Sequence, residues 1–219
     1  MKAYVITIMD NEKSVKAAKQ CIKSADLYGL EVNMWKATTP RDDPHNIFEL
    51  KGLPLEKFEE KYSRKLNCMS AFLSHHSLWE EAMLRNETMV IFEHDAYLTG
   101  MPPIHANFDD VMTFSKPSYG GYITPPGLGV NKLTQKAYFG GAHGYMVKPS
   151  GAKLLIEAAK KVAGPTDLFL NRNFFPSIQE FFPWTCEARD KFSTIQNEQG
   201  CAQKHMYQQN PRMFSIEDA

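Results

Sequence analysis

The chain has 219 residues, 43% of them hydrophobic, with equal numbers of basic and acidic side chains, 25 of each. Its length suffices for one sizeable hydrophobic core, and its composition is neither that of a disordered tail nor that of a membrane protein. The balanced charge gives no global basic field of the kind that nucleic-acid-binding domains carry.

The N-terminus and the cysteines indicate a cytosolic protein. The apolar run after Lys2 is short and ends at Asp10, without the longer apolar core and cleavage site of a secretory signal. No stretch has the length and apolar character of a membrane span. The four cysteines are far apart in sequence, which favours buried, reduced thiols over a disulfide framework. We therefore expect a cytoplasmic protein without a transmembrane segment.

The first 36 residues predict a strand, a helix and a second strand. Residues 3–8 form a short β-rich apolar run, after which apolar side chains recur at helical spacing up to Gly29. Ser14 is predicted to cap the start of this helix, and Gly29 to supply the left-handed residue at its end. Residues 31–36 then complete a βαβ unit.

The middle of the chain predicts a helix and a strand between irregular regions. Residues 38–66 contain four prolines and glycines and predict irregular structure with one short helix at 56–62. A helix from Met69 is expected to lead into a compact strand at 88–92. Residues 99–138 are rich in glycine and proline, and so predict loops with short strands such as 122–124.

The last strand and helix complete an α/β pattern. Residues 144–147 predict a strand, and residues 149–162 predict a helix that ends before Gly164 and Pro165. The alternation of strands and helices predicts a single α/β domain with a mixed, mostly parallel sheet flanked by helices. Ligands of such sheets collect at the carboxyl ends of the strands.

Glu93 and Asp95 come directly after the apolar strand at 88–92. The period of two of a strand would direct both carboxylates to the same side of the chain as it leaves the sheet. Mg²⁺ and Mn²⁺ prefer carboxylate and phosphate oxygens, so the pair predicts a metal site that holds a diphosphate. The alternative is a strand end with solvated acids, since acid-x-acid pairs recur by chance in a chain with 25 acids.

Several segments, in the same order along the chain, resemble glycosyltransferase family 25, which includes lipooligosaccharide and collagen galactosyltransferases. The resemblance lies in a cysteine near a Leu-Ser-His helix, a strand end similar to Glu-Asp-Asp, a Gly-rich strand leading to a Gly-Ala-Lys helix, and a Pro-x-Asp segment. These are residues 68–79, 90–96, 140–147 with 151–155, and 165–167. His94 replaces the middle acid of the Glu-Asp-Asp signature, and the usual arginine-containing stretch does not follow the first strand.

The resemblance implies a nucleotide-binding domain of the GT-A type. Such an enzyme transfers a sugar from a nucleotide diphosphate to an acceptor hydroxyl, with inversion and with Mn²⁺ or Mg²⁺ as cofactor. Residues 1–98 would bind the nucleotide sugar, residues 99–195 the acceptor, and residues 196–219 would form a polar tail. A UDP-sugar is the first candidate donor, although the departure after the first strand leads us to expect a sugar other than galactose. The acceptor would be a saccharide or a modified nucleic-acid base.

The resemblance also implies roles for single residues. Asp95 is the expected metal ligand, and Glu93 is expected near the ribose or a metal-bound water. Asp167 is the first candidate for the catalytic base, with a helix N-cap as its alternative. His205, in the polar tail, is a further candidate metal ligand. The other candidate donor-binding residues are Thr7, Ser74, His75, Gly141 and His143.

Some alternatives stay open at the level of sequence. The histidines have a second interpretation as packed or hydrogen-bonded residues of their own elements. An aromatic group in the last third predicts either core or an acceptor platform, and consists of Phe174, Phe175, Phe181, Phe182 and Trp184. A phage-type DNA-base glycosyltransferase is an alternative for the acceptor. A divalent-metal phosphodiesterase and an inactive sugar-binding module are alternatives of other classes.

Overall fold

The structure is a computed structural model that describes residues 1–58 and 64–189. The helices are α1 (Glu12–Asp26), α2 (Pro44–Lys51), α3 (Lys65–Arg85), α4 (Pro149–Val162) and α5 (Thr166–Phe169). The strands are β1 (Lys2–Thr7), β2 (Asn33–Lys36), β3 (Met89–Glu93), β4 (Ala96–Leu98), β5 (Val111–Thr113), β6 (Gly129–Lys132), β7 (Gly144–Val147), β8 (Gln179–Phe182) and β9 (Cys186–Ala188). Short 3-10 turns at Pro40–Asp42 and Glu56–Phe58 lie on either side of α2.

A seven-stranded mixed sheet, in the order β2-β1-β3-β7-β5-β8-β6, forms the centre of the fold. β1 pairs in parallel with β2 and β3, and β5 pairs in parallel with β8. β7 and β6 run antiparallel to their neighbours. Five strands (β1, β2, β3, β5 and β8) therefore point the same way, which confirms the predicted mixed, mostly parallel α/β sheet. β4 and β9 form a separate antiparallel pair.

Different helices cover the two faces of the central strands. On one face α1 packs through residues such as Ala18, and on the other α3 and α4 pack through Trp79 and Leu155. Val90 and Ile91 of β3 point into opposite cores, as the period of two requires. Burial on both faces explains why β3 is a continuous apolar run. No helix within residues 1–58 and 64–189 combines the length and the apolar character needed to cross a bilayer.

Helix α1 is confirmed, but its cap is not the predicted one. The N-cap is Asn11, whose side chain accepts a hydrogen bond from the backbone N–H of Ser14 at 3.1 Å. The Ser14 hydroxyl oxygen instead accepts from the backbone N–H of Ile8 at 2.9 Å, which ties the helix to the end of β1. Asparagine and serine cap helices about equally well, so residue type did not distinguish the two.

The region 38–66 contains more helix than predicted. Helix α2 begins at Pro44, after an Asp43 N-cap, and its eight residues are too few to show a clear helical period. The predicted helix at 56–62 overlaps the 3-10 turn at Glu56–Phe58, and the end of that prediction lies outside the described residues.

The strands predicted at residues 3–8, 88–92 and 144–147 are confirmed as β1, β3 and β7. The predicted strand at 122–124 is wrong, because this segment has no regular structure and the edge strand β6 begins only at Gly129. The second strand is shorter than predicted and occupies Asn33–Lys36. β4, β5 and β9 have three residues each, too short to show alternation, and were not predicted. Helix α4 has the predicted bounds.

Candidate functional site

The carboxyl ends of β1 and β3 meet the start of β7 at one edge of the sheet. The register pairs Ile6 with Glu93 and Phe92 with Gly144. The backbone N–H of Glu93 donates to the carbonyl oxygen of His143 at 3.2 Å. Two segments that the sequence singled out, the acidic strand end and the Gly-Gly-x-His segment, are therefore neighbours. They lie where open α/β sheets bind their ligands.

The Glu93 carboxylate is held by a series of hydrogen bonds between buried side chains. His75, on α3, is 1% exposed and its Nε2 lies 3.2 Å from Glu93 Oε1. Its Nδ1 lies 2.9 Å from the hydroxyl oxygen of Tyr145, on β7, and the two rings stack. The same hydroxyl oxygen accepts from Trp79 Nε1 at 2.9 Å. The predicted donor-binding pair His75 and Glu93 is thus brought together.

This chain of hydrogen bonds fixes the proton positions in neutral His75. An ionised Glu93 only accepts, so Nε2 of His75 carries the proton and Nδ1 accepts from the Tyr145 hydroxyl. The Tyr145 oxygen in turn has a lone pair for the Trp79 indole N–H. Burial by itself would raise the pKa of Glu93, but the hydrogen bond from His75, with a further lowering when the neighbouring histidines are protonated, holds it below its usual value. Glu93 is therefore ionised at neutral pH.

His143 has a buried ring nitrogen without a hydrogen-bond partner in the described part of the chain. Burial lowers its pKa, although Glu93, the carbonyl of Lys116 and Glu187 oppose this shift. The ring donates one N–H to the Lys116 carbonyl, and its Nε2 is buried without a hydrogen-bond partner among the described residues. Neutral His143 therefore offers a lone pair at Nε2 that a ligand hydroxyl would satisfy.

Asp167 lies close enough to Glu93 for the two charges to interact, and it stands inside α5 rather than at its cap. The N-cap position belongs to Pro165, so the helix-cap alternative for Asp167 is wrong. The Tyr119 hydroxyl donates to Asp167 Oδ2, and the backbone N–H of Leu168 donates to Oδ1 at 2.9 Å. Burial raises the pKa of Asp167, and the charge of Glu93 adds to this, against the hydrogen bonds from Tyr119 and Leu168.

Thr7 and Ser74 are buried and make hydrogen bonds within the protein. Thr7 Oγ1 donates to the carbonyl of Val5 at 3.0 Å. Ser74 Oγ donates to the carbonyl of Ser70 at 2.8 Å and accepts from the backbone N–H of Thr38 at 2.9 Å. These contacts hold the end of β1 and the segment after β2 at the crevice edge. Direct donor binding by Thr7 and Ser74 stays a prediction.

The glycine pair before β7 allows three segments to pack closely. A Cβ on Gly140 would lie 2.5 Å from Pro117 Cβ and 2.9 Å from Pro117 Cα. Gly141 has a φ of +116°, and a Cβ there would lie 2.6 Å from His143 Nδ1 and 2.8 Å from Ser118 Oγ. The protein itself fills the space at both glycines, and donor binding at Gly141 stays a prediction.

We expect Gly140→Ala to destabilise the fold by about 1–3 kcal/mol, because the added methyl group meets backbone as well as side-chain atoms of Pro117. The free energy of unfolding in urea measures the effect. Gly121→Ala is the matched control, since nothing lies within 4 Å of a Cβ at that position. Equal stability of the two variants would contradict the close packing at Gly140.

Asp95 lies against buried thiols rather than against His75. Burial raises the pKa of Cys186 to about 12, and the charge of Asp95 contributes to this and to the raised pKa of Cys21. The backbone carbonyl of Asp95 accepts from the N–H of Arg189 at 3.0 Å. The chain turns at residues 94–95, so Glu93 faces α3 while Asp95 has neighbours on α1 and β9.

The structure leaves the predicted metal site untested, because its second proposed ligand, His205, lies outside the described residues. In residues 1–58 and 64–189 no three His, Cys, Asp or Glu side chains are grouped so that they could hold a metal ion. The metal role of Asp95 and the Mn²⁺ or Mg²⁺ cofactor therefore stay predictions.

The aromatic group divides between the core and the surface. Phe175 is 7% exposed and packs on the α3 side of the sheet, and Phe181 packs on the α1 side. Trp184 instead forms edge contacts with Phe182 and with Tyr122, at centroid distances of 5.2 and 5.5 Å respectively. The core interpretation is thus right for Phe175, whereas an acceptor platform remains open for Phe182 and Trp184.

Sequence reasoning missed four residues of the site. Trp79 follows His75 by four positions, so the helical period already placed the two on one face of α3. Tyr145 lies in the predicted strand at 144–147. The alternation of side chains along that strand could have indicated which face of the sheet Tyr145 occupies. Tyr119 and Lys136 lie in the glycine- and proline-rich region, where no periodicity indicates which side chains turn inward.

No protein-family model and no curated protein matches the chain. Three solved structures similar to it are glycosyltransferases. A glycosyltransferase involved in the glycosylation of the major capsid of PBCV-1 has 9% identity, with 74% of this chain and 69% of that one covered and a TM-score of 0.36. Apo GlyE from Streptococcus pneumoniae TIGR4 has 10% identity, 99% and 61% coverage and a TM-score of 0.43. Apo mouse xyloside xylosyltransferase 1 has 9% identity, 81% and 83% coverage and a TM-score of 0.40.

Proposed function

We propose that this chain is a glycosyltransferase that moves a sugar from a nucleotide diphosphate to an acceptor hydroxyl with inversion. One observation carries the proposal: two interacting carboxylates, Glu93 and Asp167, have pKa values that are shifted in opposite directions. Glu93 is held ionised by His75, whereas burial and the charge of Glu93 raise the pKa of Asp167. Opposite shifts of two pKa values are typical of active sites in which two carboxyl groups have different catalytic roles. The resemblance to glycosyltransferase family 25 points to the same reaction.

Asp167 is the catalytic base of the proposed reaction. As the acceptor oxygen forms its bond to the anomeric carbon, Asp167 takes the hydroxyl proton, and the bond from that carbon to the diphosphate breaks with its electron pair. A raised pKa makes a carboxylate a stronger base, provided that it remains mostly ionised at the working pH. The Tyr119 hydroxyl and the Leu168 N–H fix the orientation of the carboxylate.

Glu93 and His143 bind the donor sugar in this proposal. Both have acceptor atoms, an ionised carboxylate in Glu93 and the unpartnered Nε2 in His143, and acceptor atoms suit the hydroxyl groups of a sugar. His75 is the residue that orients Glu93, with Tyr145 and Trp79 behind it. Rigid placement of these groups is what a single-displacement reaction needs, because misplacement by about 1 Å costs large factors in rate.

A bound Mn²⁺ or Mg²⁺ would neutralise the charge that builds on the leaving diphosphate. Asp95 is the residue proposed to hold it. We expect Asp95→Ala, or a chelator, to lower UDP affinity at least about tenfold in calorimetry, since one carboxylate ligand of a hard cation is lost. Asp26→Ala, an exposed acid at the end of α1, is the control. Equal UDP affinity with and without metal would contradict metal dependence.

Turnover of a panel of nucleotide sugars tests the function itself. A transferase consumes a nucleotide sugar in proportion to a saccharide or modified-base acceptor, a phosphodiesterase hydrolyses phosphodiesters without an acceptor, and a binding module turns over nothing. We expect transfer, with a UDP-sugar other than UDP-galactose preferred. Absence of transfer from every donor, with binding retained, would indicate the sugar-binding module.

A further inference from the structure

Lys136 lies beside the candidate base, in the segment between β6 and β7. Its ammonium nitrogen lies 4.9 Å from the ring centroid of Tyr119 and 5.4 Å from that of Tyr138. The two tyrosine rings stack with an interplanar angle of 25° and a centroid distance of 6.4 Å. An ammonium group over two aromatic faces is attracted by both rings.

The ammonium group lacks an anionic partner at contact distance. No carboxylate of residues 1–58 and 64–189 forms a salt bridge with Lys136. Burial lowers the pKa of Lys136, and the negative charge of Asp167 opposes this shift. The N–H donors of this ammonium group make no hydrogen bond to the described residues, so they are available to a ligand anion.

The backbone around Lys136 is fixed from both sides. Glu180 is buried, and its Oε1 accepts from the backbone N–H groups of Thr134 and Gln135, the latter at 3.0 Å. The carbonyl of Ala137 accepts from the N–H of Arg172 at 2.8 Å. Lys136 is therefore positioned by the fold, unlike a lysine on an exposed helix face.

We propose that Lys136, Tyr119 and Tyr138 form a subsite that binds an anionic group of the acceptor, such as a phosphate or carboxylate on a saccharide. The inference rests on the proposed function, because Asp167 marks the acceptor side of the reacting centre. Tyr119 connects the two sites directly, since its hydroxyl donates to Asp167 while its ring supports the Lys136 ammonium. In an inverting reaction the diphosphate leaves on the face opposite the base, so the group nearest Asp167 belongs to the acceptor.

Inorganic phosphate is the probe for this subsite, in an NMR titration of the full chain. We expect Lys136→Met to weaken phosphate binding at least about tenfold, because an ammonium–phosphate contact is charge-assisted and methionine keeps the stem over the rings. Lys136→Arg should stay within about threefold of the wild type, since it keeps the charge. Lys153→Met, an exposed lysine on α4, is the matched control and should change nothing.

A second titration, in saturating UDP, distinguishes the acceptor from the donor. We expect phosphate affinity to be the same with and without UDP. Competition between UDP and phosphate at Lys136 would place the donor diphosphate there and overturn the acceptor assignment. Equal phosphate affinity of the wild type and Lys136→Met, or no phosphate binding by the wild type, would overturn the subsite itself. These outcomes do not depend on turnover, so failure of the proposed function is seen separately in the donor panel.

Discussion

Asp167→Asn is expected to lower kcat by about 10²–10⁴ while donor affinity changes little. Asparagine keeps the shape of the side chain and the bond to one of its two donors, Tyr119 or the Leu168 N–H. It does not accept a proton at neutral pH, so the loss belongs to the chemical step. Steady-state kinetics at saturating donor, with the acceptor identified by the donor panel, measure it.

The pH profile of kcat separates a base from a residue that only supports the structure. A base works when it is deprotonated, so kcat should fall as pH drops through the raised pKa of Asp167. The Tyr119 hydrogen bond lowers that pKa, and Tyr119→Phe should therefore move the acidic limb to higher pH while keeping the alkaline plateau. Near-normal turnover by Asp167→Asn would exclude the base role and direct attention to Glu93, Glu180 and the histidines.

Periodicity predicted the elements that form the framework of the crevice. β1, β3, β7, α1 and α4 are long or strongly apolar, and each buries a face that its pattern indicates. The end of β3 at Glu93 was therefore predicted correctly, whereas its meeting with the start of β7 follows from the antiparallel pairing of the two strands, which was not predicted. The predicted α/β architecture follows from the same runs, because parallel strands buried on both faces are apolar throughout.

The contacts within the site depend on tertiary structure that local patterns do not contain. Asp95 was expected beside Glu93 because a strand alternates with period two, but the chain turns at residues 94–95 and alternation ends there. Ser74 matched a family motif, yet the Thr38 N–H, 36 residues away in sequence, uses its hydroxyl oxygen. Tyr119 reaches Asp167 across 48 residues from a loop without periodicity.

The hydroxyl of Tyr145 joins β7 to α3, and we expect Tyr145→Phe to destabilise the fold by about 2–4 kcal/mol. Phenylalanine keeps the ring but leaves Trp79 Nε1 and His75 Nδ1 buried without their partner, at about 1–3 kcal/mol for each unpaired group. Urea unfolding measures this loss. Donor affinity should fall too, because His75 no longer has a fixed ring orientation from which to hold Glu93. Tyr138→Phe, which also removes one hydroxyl, is the control.

A double-mutant cycle with Trp79→Phe tests whether the loss arises from the unpaired indole. Trp79→Phe removes the donor itself and creates a cavity, so this single variant should also be less stable than the wild type. Added to Tyr145→Phe it should cost less than the sum of the two single variants, because the double variant has no unpaired indole N–H. Two outcomes would show that the Tyr145 hydroxyl does not connect β7 to α3: additive changes in the free energy of unfolding, or a Tyr145→Phe variant as stable as Tyr138→Phe. In that case Glu93 would owe its orientation to the packing of His75 on the Tyr145 ring alone.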